Sequence, residues 1–494
     1  MKFPNSKHID NAGAYRALTE ALRKRRRGAT VADITAATAL PLASVQELLP
    51  LAADEYSARL EVSESGEIVY SFPRGFVSRY RGFKAGLKRF LEKSGSFLAR
   101  LGSLLFKVWI LFMLFGYFVL FMAIALGSFF ISISAGSKNS NNRRQGSGFN
   151  IGVFSLIWRL WFYSELTRPA YGDYGRRGDK ALPAKRPMHK AIFSFVFGEE
   201  DPNGDWESRE KKTLIACIQS NRGVISLPEF MSLTGQNSAE AGDAILAFCA
   251  EFDGSPEATD DGTLVYRFDK LLLRSGKEDR SFSGLSTPLK RLKKFSGNSK
   301  TMNAWFGIIN SVNLLFGGYF LFNALSTGPV IAGAPYHGSW LYGMTYVIFE
   351  SFAGNPLSFI TLGLGLVPVI FSLLFWLIPS LRFFSEKREN EQNKLENFKR
   401  IGFGHIWDKP LRVEKAGLEN PAAECRPANM DAARDRVIRD MGAYSVPEVE
   451  INDRGLEVYS FRELEREKEA LEKYRASLDP GQSEIGKTVF DSDA

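Results

Sequence analysis

The chain has 494 residues, with 63 lysines and arginines against 55 aspartates and glutamates, so its formal net charge is +8. Its 40 phenylalanines exclude a largely disordered protein, because disordered chains are poor in aromatic residues. The three cysteines, Cys217, Cys249 and Cys425, lie far apart and form no C-x-x-C pair. This spacing excludes a disulfide framework and a cysteine-rich zinc or iron–sulfur site.

The N-terminal residues predict a small soluble module. Residues 14–27 and 31–38 have helical patterns, Leu40-Pro41 interrupts them, and Ser44 is placed to cap a third helix. The run from Gly66 to Phe72 follows polar turn residues and is typical of the second strand of a hairpin. Helix, helix, turn, helix and hairpin is the order of a winged-helix module.

Three apolar stretches predict transmembrane helices. The first, at 108–133, contains no charged residue, and 304–325 and 356–377 form two further uncharged stretches. At 1.5 Å per residue each stretch can cross a hydrocarbon core of ~30 Å. Pro368 is expected to kink the third span.

Basic residues beside these stretches predict the orientation. Both flanks of the second and third spans are basic, whereas residues 326–355 contain no lysine or arginine, so the flanks are expected in the cytoplasm. The segment before the first span is also basic, which requires a return crossing. Residues 149–164 are the candidate, although Arg159 and the short length also fit an interfacial helix. Anionic lipid headgroups are expected to attract the basic residues beside the spans: Lys88, Arg89, Lys93, Arg100, Lys290, Arg291, Lys293 and Lys294.

A repeated motif, G-x-x-V-Y-[SR]-F, indicates two or three copies of the soluble module. Its three occurrences are separated by nearly equal lengths of chain. The second copy has the same predicted order of helices before its hairpin, and the third is degenerate before its hairpin. Modules with a common origin should face one compartment, which favours a return span at 149–164. The motif residues are Gly66, Val69, Tyr70, Phe72, Gly262, Val265, Tyr266, Phe268, Gly455, Val458, Tyr459 and Phe461.

The charge of the modules argues against nucleic acid as a partner. Residues 28–58 contain four acids and no lysine or arginine, and residues 223–266 contain eight acids and again no basic residue. Neutralising phosphates supplies much of the affinity for DNA, so acidic reading helices would be repelled. Contacts with a protein partner, self-association or simple packing are expected instead.

The sequence contains no recognisable chemistry, so we expect no enzyme, cofactor or metal site. Its four histidines, His8, His189, His337 and His405, are isolated from one another and from paired carboxylates. The polar residues of most interest are Asn310, Asn313 and Asn323 in the second span. Amides in lipid usually bond neighbouring helices, while a polar conduction or substrate site is the alternative.

One further motif carries a resemblance. The segment from Phe193 to Asn203, with its motif F-x-F-G-x-x-D-P-N and together with the repeated hairpins, resembles a family of uncharacterised multi-pass membrane proteins of bacteria and chloroplasts. The resemblance implies architecture and no activity. Some relatives carry an iron–sulfur-assembly label, for which the cysteines here give no support. Within the motif, we expect Asp201-Pro202-Asn203 to form a turn that caps a helix.

These observations predict an α+β chain, a multi-pass α-helical membrane protein of the bacterial inner membrane with two to three winged-helix-like repeats. Its expected function is that of a scaffold or adaptor, held in the lipid bilayer, that presents acidic modules to a protein partner in the cytoplasm. A small transporter or channel gated by the modules is the alternative, and a membrane-bound transcription regulator the next. The predicted segments are a first module (1–76), a basic juxtamembrane helix (77–107), a span (108–133), a Gly/Ser/Asn-rich loop (134–148), a short span or interfacial helix (149–164), a basic linker (165–190), a second module (191–273), a basic linker (274–303), a span (304–325), an external loop (326–355), a span (356–377), a charged helix with a degenerate third module (378–478) and a disordered tail (479–494).

Overall fold

The computed structural model describes residues 11–25, 28–72, 76, 79, 83–136, 186–275, 287–330, 339–351, 354–419, 422–453, 455–479 and 486–492. They form two compact units. The module unit comprises Met1–Lys88, Asp201–Leu292 and Arg388–Ala494, and the membrane unit comprises Arg89–Glu200 and Lys293–Lys387. The candidate span at 149–164, His8 and His337 lie outside the described residues, as do the side chains of Lys88, Arg89, Lys93 and Arg100.

The first module contains three helices and a hairpin. They are α1 (Asn11–Lys24), α2 (Val31–Thr38), α3 (Leu42–Tyr56), β1 (Arg59–Ser63) and β2 (Ile68–Ser71). Helix α2 begins with a capping box. The amide of Asp33 donates to the hydroxyl of Thr30, and the amide of Thr30 donates to the carboxylate of Asp33. Helix α3 follows Pro41 without a side-chain cap, so the capping role predicted for Ser44 is wrong.

The second module repeats this order at a constant offset. It contains α6 (Trp206–Ser220), β3 (Val224–Ser226), α7 (Leu227–Thr234), α8 (Ser238–Phe252), β4 (Ser255–Ala258) and β5 (Leu264–Arg267), where α4 and α5 belong to the membrane unit described below. Helix α8 begins as many residues after the start of α3 as strand β5 begins after the start of β2. A second capping box, Ser226 with Glu229, starts α7. Gly66 and Gly262 turn the two hairpins with the same positive φ of 79°, which favours glycine.

The third segment also ends in a hairpin, and its described part has one α-helix between β6 and β7. It contains β6 (Val413–Glu414), α12 (Met430–Gly442), β7 (Glu448–Ile451) and β8 (Glu457–Ser460), followed by α13 (Arg462–Ser477). Strands β7 and β8 follow β4 and β5 at one common offset along the chain. In the described part of this module, a short 3-10 turn at Ala423–Cys425 stands where α7 stands in the second. The second and third modules share one hydrophobic core.

The C-terminal tail contains a strand, which corrects the predicted disorder for residues 488–491. Strand β9 (Thr488–Asp491) pairs antiparallel with β1, giving the sheet order β2–β1–β9. Arg59 forms an ion pair with Asp491. The tail therefore covers the sheet edge of the first module.

The membrane unit is built from apolar helices. They are α4 (Phe83–Gly136), α5 (Met188–Phe197), α9 (Lys300–Thr327), α10 (Trp340–Glu350) and α11 (Pro356–Asp408). Helix α4 belongs to this unit from Arg89 onward, and α11 belongs to it as far as Lys387. Three stretches are long and apolar enough to cross a membrane: Leu101–Phe129, Lys300–Thr327 and Pro356–Asp408. The bent pair α2 and α3 passes the same test, but it carries Asp33, Glu47, Asp54 and Glu55, so we do not treat it as a span.

Two short helices differ from the predicted segments. Residues 191–200 were expected in the second module, but α5 buries Ile192, Phe195 and Val196 among the apolar residues of α4, α9 and α11. The predicted external loop contains α10, whose Tyr342 and Tyr346 pack in one cluster with Phe121 and Phe320. Both helices present an apolar face that a solvated loop would leave exposed.

Pro368 lies directly after a local change in helix geometry. Residues Phe359–Leu366 form a π-helical segment, and the amide of Val367 donates to the carbonyl of Leu362. Proline lacks an amide hydrogen and crowds the preceding turn of an α-helix. The wider turn accommodates that ring, so the structure places a π segment where the sequence predicts a kink.

Candidate functional site: the contacts between modules and the buried asparagines

Asp33 of the first module is a buried acceptor for the segment that follows the second module. Its side chain is 1% exposed. The amide and hydroxyl of Ser275 donate to it at 3.0 and 2.7 Å, and Arg274 contacts it at 3.3 Å. Arg25 of its own module lies at 2.8 Å. The capping residue Thr30 donates its hydroxyl to the carbonyl of Leu273 at 2.7 Å. One capping box thus binds three consecutive residues, Leu273 to Ser275, of the segment that follows the second module.

The hydrogen bonds keep Asp33 ionised. Burial alone would raise its pKa, but the bonds from Ser275 and Thr30 and the charge of Arg25 outweigh burial and lower the pKa below its ordinary value. A buried carboxylate with this many donors is stable only while its partners stay in place. The ionised group therefore ties the two modules together.

Glu229 of the second module has the same role toward the segment that follows the third. Arg475 in α13 contacts its two carboxylate oxygens at 2.9 and 2.6 Å and donates to the carbonyl of Val224 at 2.8 Å. The neighbouring Tyr474 donates to Glu257 at 2.6 Å. A bidentate arginine–carboxylate pair is a strong, geometrically specific contact.

Asp33 and Glu229 occupy equivalent positions, because each is the acidic residue of a capping box. They are also separated by the same number of residues as the two hairpins are. Each carboxylate binds residues that come after the hairpin of the next module. The two acceptors are therefore alike in position, whereas their donors differ: Arg274 and Ser275 lie in a loop, and Arg475 lies in α13. The equivalent position in the third module, by the offset between its hairpin and the second, is Ala422, which has no carboxylate.

A buried ion pair fixes α11 to the second module. Arg400 is 2% exposed, and its guanidinium contacts Glu210 of α6 at 2.7 Å and the carbonyl of Thr234 at 2.7 Å. It also stacks on Trp206 at 4.4 Å from the ring centroid. Gly235, with φ of 71°, passes so close that a Cβ there would lie 2.9 Å from Arg400. The pair therefore holds the part of α11 after Lys387 against the second module within the module unit.

A polar pocket of about 410 Å³ lies beside this pair. Among the described residues, Gln236 Oε1 and Arg400 Nε are buried and have no hydrogen-bond partner. No group of three or more metal-binding side chains occurs in the part of the chain that the structure describes. Burial raises the pKa of the Cys217 thiol to about 12 and that of Cys249 to about 11, so neither is a reactive thiolate near neutrality.

The predicted hairpin residues are structural. Tyr70, Tyr266, Phe72, Phe268 and Phe461 are all buried in the module cores. Each motif strand pairs with the strand before it, as β1–β2, β4–β5 and β7–β8. The motif therefore anchors each hairpin to its core by packing.

The asparagines of the second span bond to two other helices of the membrane unit. Asn310 donates to the carbonyl of Ser372 in α11 at 3.0 Å, and Asn313 donates to the carbonyl of Leu114 in α4 at 2.7 Å. Both are fully buried. Asn323 donates to Tyr319 of its own helix at 2.9 Å. The side-chain oxygens of Asn310 and Asn313 and the hydroxyl of Ser372 are buried without a partner among the described residues.

The basic residues do not all remain available for lipid. Lys290 is 12% exposed and pairs with Glu396, which corrects its expected place at the membrane surface. The backbone of Arg291 exchanges two hydrogen bonds with the side chain of Asn203, at 2.9 and 2.8 Å. The amide of Asn203 donates to the side chain of Asp201, so the D-P-N run forms the expected turn. Helix α6 begins further on, at Trp206, so the expected cap is wrong.

Position 198 in the F-x-F-G-x-x-D-P-N motif requires glycine for a steric reason. Its φ is 87°, and a Cβ there would lie 2.8 Å from the guanidinium of Arg382. Arg382 donates to the carbonyls of Phe295 and Phe195 at 2.7 and 2.9 Å. The next residue, Glu199, pairs with Arg186 and accepts from the amide of Gly297 at 2.8 Å. The pairing with Arg186 lowers the pKa of Glu199 to about 2.

Comparison with known proteins finds a plant relative. The chain is 26% identical over 407 residues to an uncharacterized chloroplastic protein of Arabidopsis thaliana, a match that covers 78% of this chain and 71% of the plant protein. No protein-family model matches the chain. No solved structure matches it either. The likeness supports a relationship to chloroplast proteins and carries no activity.

The residues that join the modules were not predicted from the sequence. Thr30 to Asp33 and Ser226 to Glu229 both fit the capping-box pattern before an apolar run, so the boxes could have been found. Their partners, Arg274 and Arg475, could not, because they are far away in sequence and follow no shared motif.

The buried carboxyl of Glu467 in α13 predicts how the stability of the protein changes with pH. Burial raises the pKa of Glu467 to about 7, even though Tyr444 donates to it at 2.8 Å. Because the folded pKa lies above the ordinary value of 4.5, ionisation costs stability increasingly as the pH rises from 4.5 to about 7. Glu467→Gln should therefore stabilise the protein by about 1–2 kcal/mol at pH 8 and have little effect at pH 4.5. Thermal unfolding at both pH values measures this, with Glu469→Gln on the exposed face of α13 as the control. Equal effects at the two pH values would contradict it.

Proposed function

We propose that this protein is a membrane-anchored scaffold whose three winged-helix-like modules are held in a fixed head-to-tail order. The repeated contact of Asp33 with Arg274 and of Glu229 with Arg475 carries the proposal. Independent modules on flexible tethers need no buried ion pairs between them, since such pairs cost desolvation and specify one arrangement. Modules held in a fixed order can instead present a single binding surface to which several of them contribute.

The same contacts support a common compartment for the modules. The first module precedes α4 and the second follows it, yet they bond directly through Asp33 and Ser275. If α4 spans the membrane once, the chain must cross again before residue 186. The proposed return span at 149–164 satisfies this requirement. The second and third modules are separated by α9 and α11, which together make an even number of crossings.

The edge of β7 is the proposed contact surface for a protein partner. Val449 and Ile451 are 57% and 75% exposed, and Glu448 and Glu450 alternate with them. The equivalent edge in the first module, β1, is paired with β9. An exposed edge strand can accept an extended segment by main-chain hydrogen bonding. Glu448 pairs with Arg462 at 2.8 Å, so the charge of Glu450 is the one that favours a basic residue in an otherwise apolar partner segment.

A photo-crosslinking residue at Val449 tests this surface in native membranes. We expect one discrete adduct, reduced by about fivefold or more by Glu450→Lys, since like charges opposite one another repel. The same residue at Leu246, which is 53% exposed on α8, is the matched control. Absence of the adduct, an equal adduct from both positions or insensitivity to Glu450→Lys would contradict the proposal.

A small transporter or channel is the second candidate, and the buried polar atoms of the membrane unit favour it. Among the residues that the structure describes, the side-chain oxygens of Asn310, Asn313 and Ser372 have no hydrogen-bond partner. Asn313 also donates to a carbonyl of a third span, at Leu114. Polar groups in a bundle interior are typical of substrate or ion pathways. Ion flux into liposomes containing the purified protein, compared with an Asn310→Leu, Asn313→Leu variant, tests this candidate. Flux that is lost in the variant would support it over the scaffold alone.

A further inference from the structure

The membrane unit contains an apolar groove between three helices. Its volume is about 420 Å³, within the range of small-molecule sites. Helices α4, α5 and α11 all contribute to it, with Trp109, Phe197, Ile370 and Leu374 among the lining residues. Trp109 is 51% exposed, and Ile370 and Leu374 are each 48% exposed. The groove therefore opens sideways along segments that are apolar enough to span a bilayer.

A chain of aromatic contacts connects the groove to a lysine. Phe197 lines the groove and lies 4.8 Å from Phe193, measured between ring centroids. The ammonium of Lys107 lies 4.5 Å above the ring of Phe193. Phe106, the residue before Lys107, also lines the groove. The lysine is therefore adjacent to one end of the groove.

A histidine and a second lysine lie near this end. His189 is the second residue of α5, and Lys190 follows it. His189 and Lys190 precede Phe193 by four and three residues on α5, so each lies about one helical turn from the ring that Lys107 contacts. Among the described residues, neither lysine forms an ion pair with an acid. A local excess of positive charge beside an apolar groove matches an amphiphile with a negative head.

We propose that the groove binds one acyl chain of an anionic phospholipid, whose phosphate is contacted by Lys107 and Lys190. The apolar lining holds the chain by close packing, and the two ammonium groups provide the preference for negative charge. The proposal does not depend on the scaffold function.

The test measures the phospholipid retained by the purified full-length protein after detergent washing. The protein is equilibrated with equal amounts of phosphatidylglycerol and phosphatidylcholine that carry identical chains. We expect phosphatidylglycerol to be retained about tenfold more than phosphatidylcholine. The Lys107→Ala, Lys190→Ala variant should reduce this ratio to about one. Lys387→Ala, an exposed lysine elsewhere in the membrane unit, should leave it unchanged.

A second variant tests the groove itself. Leu374→Trp fills the groove and should abolish retention of both lipids, whereas Leu373→Trp, 53% exposed and outside the lining, should retain them. Glycerophosphoglycerol, which has the head without the chains, should not displace the bound lipid. Equal retention of the two lipids, an unchanged ratio in the double-lysine variant, retention by Leu374→Trp or displacement by glycerophosphoglycerol would each overturn the proposal.

Discussion

Replacing Arg400 with methionine should lower the free energy of unfolding of the second module by about 3–5 kcal/mol. The substitution leaves Glu210, 5% exposed at its side chain, as a buried charge without its partner, and it removes the bond to Thr234 and the stacking on Trp206. Cys217 and Cys249 are buried in this module, so their rate of maleimide labelling reports its opening. The expected change is an increase in labelling rate of about two to three orders of magnitude, since about 1.4 kcal/mol is a factor of ten.

The control for this prediction is Arg412→Met, which removes an arginine that is 76% exposed. Its effect should be within about 0.5 kcal/mol, as for other surface substitutions. Labelling of Arg400→Met at the wild-type rate would show that the buried pair does not stabilise the module. In the double variant Arg400→Met, Glu210→Gln, part of the stability should return, because no buried charge is left unpaired.

Asp33→Asn should loosen the contact between the first and second modules by about 2–4 kcal/mol. The amide retains the volume but loses the charge that faces Arg25 and Arg274 and one acceptor for Ser275. Hydrogen–deuterium exchange of the α2 amides measures the change. The expected result is exchange at least about thirtyfold faster in α2, with Asp54→Asn, 61% exposed in the same module, as the control.

The pH dependence of this effect follows from the lowered pKa of Asp33. A carboxyl whose folded pKa is depressed contributes stability that is fully present above its unfolded pKa and is lost as the pH falls through the folded pKa. The difference between the wild type and Asp33→Asn should therefore be constant from pH 8 to about pH 5 and shrink below about pH 4. A difference that grows as the pH falls would contradict the assignment of the charge to this contact.

Short sequence patterns correctly predicted those helices and strands whose formation depends on residues close together in the chain. The uncharged runs predicted three helices long enough to span a membrane, and G-x-x-V-Y predicted three hairpin strands, because hydrophobicity and turn glycines act within a few residues. Pro368 was placed at a disturbed turn for the same reason. The α+β class followed from these elements.

The elements that depend on distant partners were missed. Strand β9 pairs with β1 across most of the length of the chain, and its residues, Thr488 to Asp491, are a short run in a polar tail. Helix α10 is too short to be recognised as a span and owes its place to packing against Phe121 and Phe320. Asp33 and Glu229 were visible as helix caps, but their partners were not, since burial and tertiary contacts select them.

The head-to-tail array requires all modules on one side of the membrane, and vectorial cysteine labelling is the sharpest test of that requirement. The native cysteines are buried, so Ala43→Cys in α3, Ala239→Cys in α8 and Ser140→Cys can each be labelled with a membrane-impermeant maleimide in oriented and inverted vesicles. We expect Ala43→Cys and Ala239→Cys to react from the same side and Ser140→Cys from the opposite side. Labelling of Ala43→Cys and Ala239→Cys from opposite sides would separate the first module from the second and contradict the scaffold.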